Sequence, residues 1–138
     1  MQKIIIDTNV LVSALISDGN PFKIIHNLVL GDRVKTYVSD EILQEYNQVL
    51  SRDKFSGIPD FKKNVSIIIR VLSDLSIHQN PDRKIELLQD EDDNKFLELA
   101  VHCEADFIIT GNTRDFTISK IGQTKIVSPT IYWENYQP

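Results

Sequence analysis

Three consecutive isoleucines, Ile4-Ile5-Ile6, run straight into an aspartate, Asp7, and Val10, Leu11, Ala14 and Leu15 then follow at helical spacing. An apolar run without alternation is expected of a short strand buried on both faces, as in a parallel sheet with helices above and below it. Asp7 should therefore stand at the carboxyl end of a central strand, just before a helix begins. In open α/β sheets that edge is where ligands bind.

The rest of the composition narrows the setting. The 138 residues fit one domain, long enough to bury roughly two thirds of the surface that the unfolded chain exposes. Cys103 is the single cysteine, which excludes a disulfide framework and a thiolate metal cluster and fits a reducing cytoplasm. The apolar runs are far shorter than the roughly 18 residues that a membrane span needs, and Met1 leads directly into the first strand, so neither membrane insertion nor export is expected. A formal net charge of −5 disfavours a nucleic-acid partner, unless clustered acids hold divalent cations that supply positive charge where a phosphate would sit.

Along the chain, Asn20 is expected to cap a helix that begins with Pro21 and carries Phe22, Ile25, Leu28 and Val29, with Gly31 as its stop. Val34 to Val38 reads as the second strand. Ser39 or Asp40 caps the next helix, whose apolar stripe is Ile42, Leu43, Tyr46, Val49 and Leu50. Glu45 falls at the margin of that stripe, while Glu41 points outward. Phe61 to Leu75 is a long amphipathic helix, followed by a short strand near Ile77.

In Asp90-Glu91-Asp92-Asp93, the first three acids suit the start of a helix, where the dipole and unpaired N–H groups favour carboxylates. Asp93 differs, because Phe96, Leu97 and Ala100 lie three, four and seven residues on and place it on the inward face. Asp106 to Thr110 is a further central strand that ends in the polar turn Gly111-Asn112-Thr113-Arg114-Asp115. Lys125 to Val127 is the last strand, and Ser128-Pro129 opens a final helix through Ile131, Trp133 and Tyr136, whose aromatics are expected to pack on the sheet.

This alternation predicts a three-layer α/β/α fold with a central parallel sheet. Asp7, Glu45, Asp93 and Asp115 can all reach one end of it. Four carboxylates brought close repel one another, and a hard divalent cation removes that cost. Oxygen ligands without histidine or thiolate select Mg²⁺ or Mn²⁺. Such a site suits phosphodiester hydrolysis.

The same residues resemble the PIN domains, in particular the stand-alone, VapC-like proteins assigned as toxins of bacterial and archaeal toxin–antitoxin systems. The resemblance runs through Ile6-Asp7-Thr8-Asn9-Val10-Leu11, Ile42-Leu43-Gln44-Glu45-Tyr46, Val49 to Phe55, Asp92-Asp93-Asn94-Lys95-Phe96-Leu97-Glu98-Leu99-Ala100 and Asp106 to Asn112. It implies a PIN-like fold and a metal-dependent ribonuclease acting on single-stranded RNA. Asp7, Glu45, Asp93 and Asp115 then match the family's acidic quartet, and Asn9 and Thr110 its supporting polar residues. Many relatives carry an acid directly after the glycine at the fourth position; here Asn112 stands there and Asp115 comes later. The resemblance also implies an antitoxin partner and a homodimer, with the helix from Phe61 to Leu75 as an interface.

Other readings fit the residues less well. An aspartyl-phosphate enzyme of the haloacid dehalogenase type needs a second carboxylate two residues after Asp7, where this chain has Asn9. A receiver-like module needs an acid pair after the first strand and a lysine after a late one, whereas Lys125 precedes its strand. The alternative of a different class is a non-catalytic PIN module that binds RNA or a protein without cutting; the completeness of the acid set separates the two. Arg52, Lys54 and Arg114 are the candidates for contacts to RNA phosphates, through their nearness to site segments. His26, His78 and His102 are expected to lie away from the acids.

Overall fold

The computed structural model describes residues 1–88, 91–113 and 116–138. Lys3–Ile6 forms β1, with Ile4, Ile5 and Ile6 buried almost completely. Thr8–Ile16 forms α1 directly after it, with Asp7 as the N-cap. Asn20–Lys23 is α2, and it continues as a wider helical turn over Ile24–Val29. There Leu30 N–H reaches back to the Ile25 carbonyl at 3.0 Å, a π-type bond that breaks the regular period. The start of α2 differs from the sequence reading. Gly19 occupies the cap position, and Asn20 is the first helical residue, its side-chain amide donating instead to Thr130 Oγ1 at 3.0 Å. That bond anchors α2 to the last helix.

Lys35–Val38 is β2 and Asp40–Leu50 is α3, capped by the Ser39 hydroxyl, which accepts from Ile42 N–H. Phe61–Leu75 is α4, Ile77–His78 is β3 and Glu91–Cys103 is α5. Phe107–Ile109 is β4, Lys120–Ile121 is β5, Thr124–Val127 is β6 and Pro129–Asn135 is α6. The strands form one six-stranded sheet in the order β3-β2-β1-β4-β6-β5. All neighbours are parallel except β5 and β6. The fold is thus the expected α/β architecture, a mostly parallel sheet with flanking helices.

The antiparallel hairpin β5–β6 is an addition to the expected parallel set. Its turn carries Gly122 at φ +56°, a left-handed conformation that glycine adopts without steric cost. Two residues paired at a sheet edge leave too short an alternation to be read from sequence.

Core burial follows from this order. β1 and β4 lie at the centre of the sheet and bury all of Ile4, Ile5, Ile108 and Ile109. On α6 the residue that seals the sheet is Tyr132, fully buried and edge-on to Phe107 at 5.2 Å between ring centres. Ile131 on the same helix is exposed. Tyr136 joins the Phe107 cluster, with ring centres 5.1 Å apart.

The strand order also locates a cleft. From β1 the chain steps outward to β2 and β3, then returns to place β4 on the other side of β1. Connections that leave two adjacent strands in opposite directions open a crevice at their carboxyl ends. Asp7 follows β1 and Thr110 follows β4, so the chain delivers both to that crevice.

Candidate functional site

Asp7 extends the β1 backbone by one more bond, its N–H donating to the Ile109 carbonyl at 2.9 Å. Its side chain is only 5% exposed and is surrounded by neutral donors. Oδ1 accepts the Thr8 N–H at 2.7 Å. Oδ2 accepts the Thr110 hydroxyl at 2.7 Å and the Asn9 amide at 3.1 Å. A carboxylate offers about four acceptor positions, so a position remains on Oδ1.

The turn after β4 is built onto the same network. Asn9 Oδ1 accepts the Gly111 N–H at 2.9 Å, and the Thr110 hydroxyl accepts the Asn112 N–H at 3.0 Å. A β-carbon added at Gly111 would lie 3.2 Å from Asn9 Oδ1. Glycine therefore lets the backbone approach Asn9 closely enough to bond. Asn9 and Thr110, singled out from sequence, both donate to Asp7.

Glu45 arrives from the middle of α3, half-buried at the margin of the Ile42, Tyr46 and Leu50 stripe. Two contacts hold it. The Thr8 hydroxyl donates to Oε2, and Lys95 of α5 places Nζ 2.9 Å from Oε1. Thr8 thus links Asp7 through its N–H and Glu45 through its hydroxyl. The neighbouring Tyr46 is buried, and its hydroxyl donates to the Ile6 carbonyl, tying α3 to the end of β1.

The electrostatics follow from burial. Desolvation is the main effect that pushes the Asp7 carboxyl above its ordinary range. The Glu45 charge pushes the same way, while the bonds from Thr110, Thr8 and Asn9 oppose it. Burial, followed by the charges of Asp7 and Glu45, also raises the Tyr46 hydroxyl well above its usual value. Tyr46 consequently remains a donor.

The remaining candidates are Asp93, Asp115, Arg114, Arg52 and Lys54. Asp93 is half-buried in the first turn of α5, two residues before Lys95. Asp115 and Arg114 lie outside the described residues. Arg52 and Lys54 are exposed beyond the end of α3, with Lys54 Nζ 5.1 Å from the centre of the Phe55 ring. Among the described residues, no three carboxylate, histidine or cysteine side chains gather into a metal-holding group.

The carboxylates that Thr8 joins, Asp7 and Glu45, are a pair that a cation could use. The oxygens of Asp7 and Glu45 are hard donors that suit Mg²⁺ or Mn²⁺. Full coordination at that pair calls on further oxygens, from water, substrate, Asp93 or residues beyond those described. Two residues of the site escaped the sequence reading. Thr8 sits inside the Asp7-Thr8-Asn9 run and Lys95 inside the Asp93-Asn94-Lys95 run; their only signals were adjacency to an acid and, for Lys95, a complementary charge.

Next to the site, two buried polar residues of α5 have a structural task. Glu98, 7% exposed, accepts the Ile85 N–H at 2.9 Å, and Asn94, 5% exposed, accepts the Leu88 N–H at 2.9 Å. Together they clamp the segment from Ile85 to Leu88 onto the helix.

No helix among the described residues is long and apolar enough to cross a membrane. The chain is 35% identical over 111 residues to the uncharacterized protein MJ1680 of Methanocaldococcus jannaschii, a match covering 80% of this chain and 70% of that protein. The PIN domain family matches residues 3–114, a span running from β1 through the turn after β4. Members of that family are generally metal-dependent nucleases. With most of its length matched and its first strand, Asp7 and β4 within the match, the chain belongs to the PIN domain family.

Proposed function

We propose that this protein is a divalent-metal-dependent endoribonuclease that hydrolyses phosphodiester bonds of single-stranded RNA, acting as the toxin of a toxin–antitoxin pair. The observation that carries the nuclease reading is the pair of carboxylates joined through Thr8 at the crevice between β1 and β4. Asp7, Glu45, Asp93 and Asp115 are the residues that would hold Mg²⁺ or Mn²⁺. Bound there, the cation would polarise a phosphoryl oxygen and lower the pKa of a water.

The chain's own part is to prepare the ligands. Thr110 and Asn9 fix Asp7 through Oδ2 and leave Oδ1 as the oxygen with a free acceptor position. Thr8 holds Glu45 in register with it. Because burial has already removed water from Asp7, a carboxylate there gains more from a cation than one in solvent does. Arg52, Lys54 and Arg114 are assigned to the RNA backbone by their place in the chain. The antitoxin partner, the homodimer and the toxin role itself rest on the resemblance to VapC-like proteins.

The test is cleavage of labelled single-stranded RNA by the wild type in Mn²⁺, beside the same protein in EDTA and an Asp93→Asn variant. The reading predicts cleavage in the first and its loss in both others. A folded wild type that cuts no RNA, and whose melting temperature Mn²⁺ leaves unchanged, would instead favour a non-catalytic PIN module that binds RNA or protein.

A further inference from the structure

The two carboxylates joined by Thr8 are not alike. Among the described residues, Asp7 receives only neutral donors, from Thr8, Asn9 and Thr110. Glu45 is already neutralised: Lys95 Nζ stands 2.9 Å from Oε1, and the two side chains are 15% and 16% exposed. An exposed lysine–glutamate pair is loose and screened. This pair is mostly out of water, so its ammonium is a fixed local charge. Oε2 in turn carries the Thr8 hydroxyl, so each oxygen of Glu45 has one partner from the chain and one acceptor position left for a shared cation.

We propose, on the basis of the metal-dependent reading above, that Lys95 takes the electrostatic place of a second divalent ion. The site then holds a single cation on the Asp7 side, and the Lys95–Glu45 pair stays intact beside it. The reason is like-charge repulsion: a second cation using Glu45 has to share one carboxylate with an ammonium, at a spacing where two positive charges repel strongly in a partly desolvated setting. Lys95 is a positioning residue on this account. It holds Glu45 through one oxygen while Thr8 holds the other, and it sets how many cations the carboxylates accept.

Titration of Mn²⁺ into the full chain, read by calorimetry and by the electron paramagnetic resonance of free Mn²⁺, tests this with three proteins. The wild type is expected to bind one ion per chain. Lys95→Met, which keeps the length of the side chain and removes the charge, is expected to bind two. Lys95→Arg is expected to return to one. A merely structural lysine would change the melting temperature without changing the stoichiometry.

A wild type that binds two ions overturns the proposal, whether or not the methionine variant folds. So does a folded Lys95→Met that binds one ion with unchanged affinity. Both results leave the metal-dependent reading standing. If neither folded protein binds Mn²⁺, that reading fails and the inference falls with it.

Discussion

The Thr8 hydroxyl donates to Glu45 Oε2, tying the first residue of α1 to the middle of α3 across the carboxyl end of β1. Through this bond a single residue aligns two acids from separate elements. Thr8→Ala removes the hydroxyl and leaves the backbone N–H to Asp7 in place. Losing a residue that orients a metal ligand typically costs about 10- to 100-fold in metal affinity or activity. That range is the loss expected of Thr8→Ala in Mn²⁺ affinity, with Thr8→Ser restoring most of it. Equal Mn²⁺ affinity in all three proteins would show that the bond has no part in the site.

Thr110 makes a different prediction, one about stability. It is fully buried, gives its hydroxyl to Asp7 Oδ2 and accepts the Asn112 N–H. Thr110→Val keeps the shape and removes both bonds. Taking away one partner of a buried hydrogen bond costs roughly 1–3 kcal/mol. Urea unfolding of the metal-free variant should show a loss in that range with an unchanged denaturant slope. The Asp7 carboxyl should also rise further, because the Thr110 bond is one of the interactions that lowers it.

Cys103 supplies the pH dependence. Burial, as the main cause, pushes its thiol up to about 11 in the folded chain, against about 8.5 for a free cysteine. A group whose folded value is raised contributes stability that is fully present below its unfolded value and is lost as pH rises through the folded one. Stability from Cys103 is therefore constant at neutral pH and declines from about pH 8.5 toward about 11. Thiol alkylation at pH 8 should be slow in the native protein and fast in denaturant. Rapid native alkylation at that pH would contradict the burial of this side chain.

Glu98 predicts a local effect. Its carboxylate accepts the Ile85 N–H, and Lys84 lies 3.9 Å from its other oxygen. Glu98→Ala should speed hydrogen exchange at the Ile85 amide, with β1 and β4 amides changed far less. Uniform acceleration over the chain would mean that Glu98 supports the whole core instead of the segment it clamps.

Particular residues show which parts were legible in the sequence. The Ile4-Ile5-Ile6 run reports burial on both faces by itself, so β1 and the position of Asp7 follow from local pattern. Glu45 was readable because its neighbours Ile42, Tyr46 and Leu50 define a stripe and leave it at the edge. The Ser39 and Ser128 caps follow from hydroxyls set just before helical patterns.

What escaped depends on partners distant in the chain. Lys95 meets Glu45 only because α3 and α5 are packed together by the sheet order. Asn20 left its expected cap for Thr130, a residue of the last helix. Tyr132, beside the expected Trp133 and Tyr136, seals the end of the sheet through its contact with Phe107 of β4. Glu98 and Asn94 look like solvent-facing residues until the Ile85 to Leu88 segment is laid across them.

The most direct test of the central claim is the rate of single-stranded RNA cleavage in saturating Mn²⁺ by the wild type and by Asp7→Asn, each shown to be folded. Asp7 is the carboxylate on which the β1 terminus, Thr8, Asn9 and Thr110 converge. The account predicts Mn²⁺-dependent cleavage by the wild type and a loss of at least about 100-fold in the variant, the scale of removing a directly acting group. Cleavage by Asp7→Asn at the wild-type rate would contradict it.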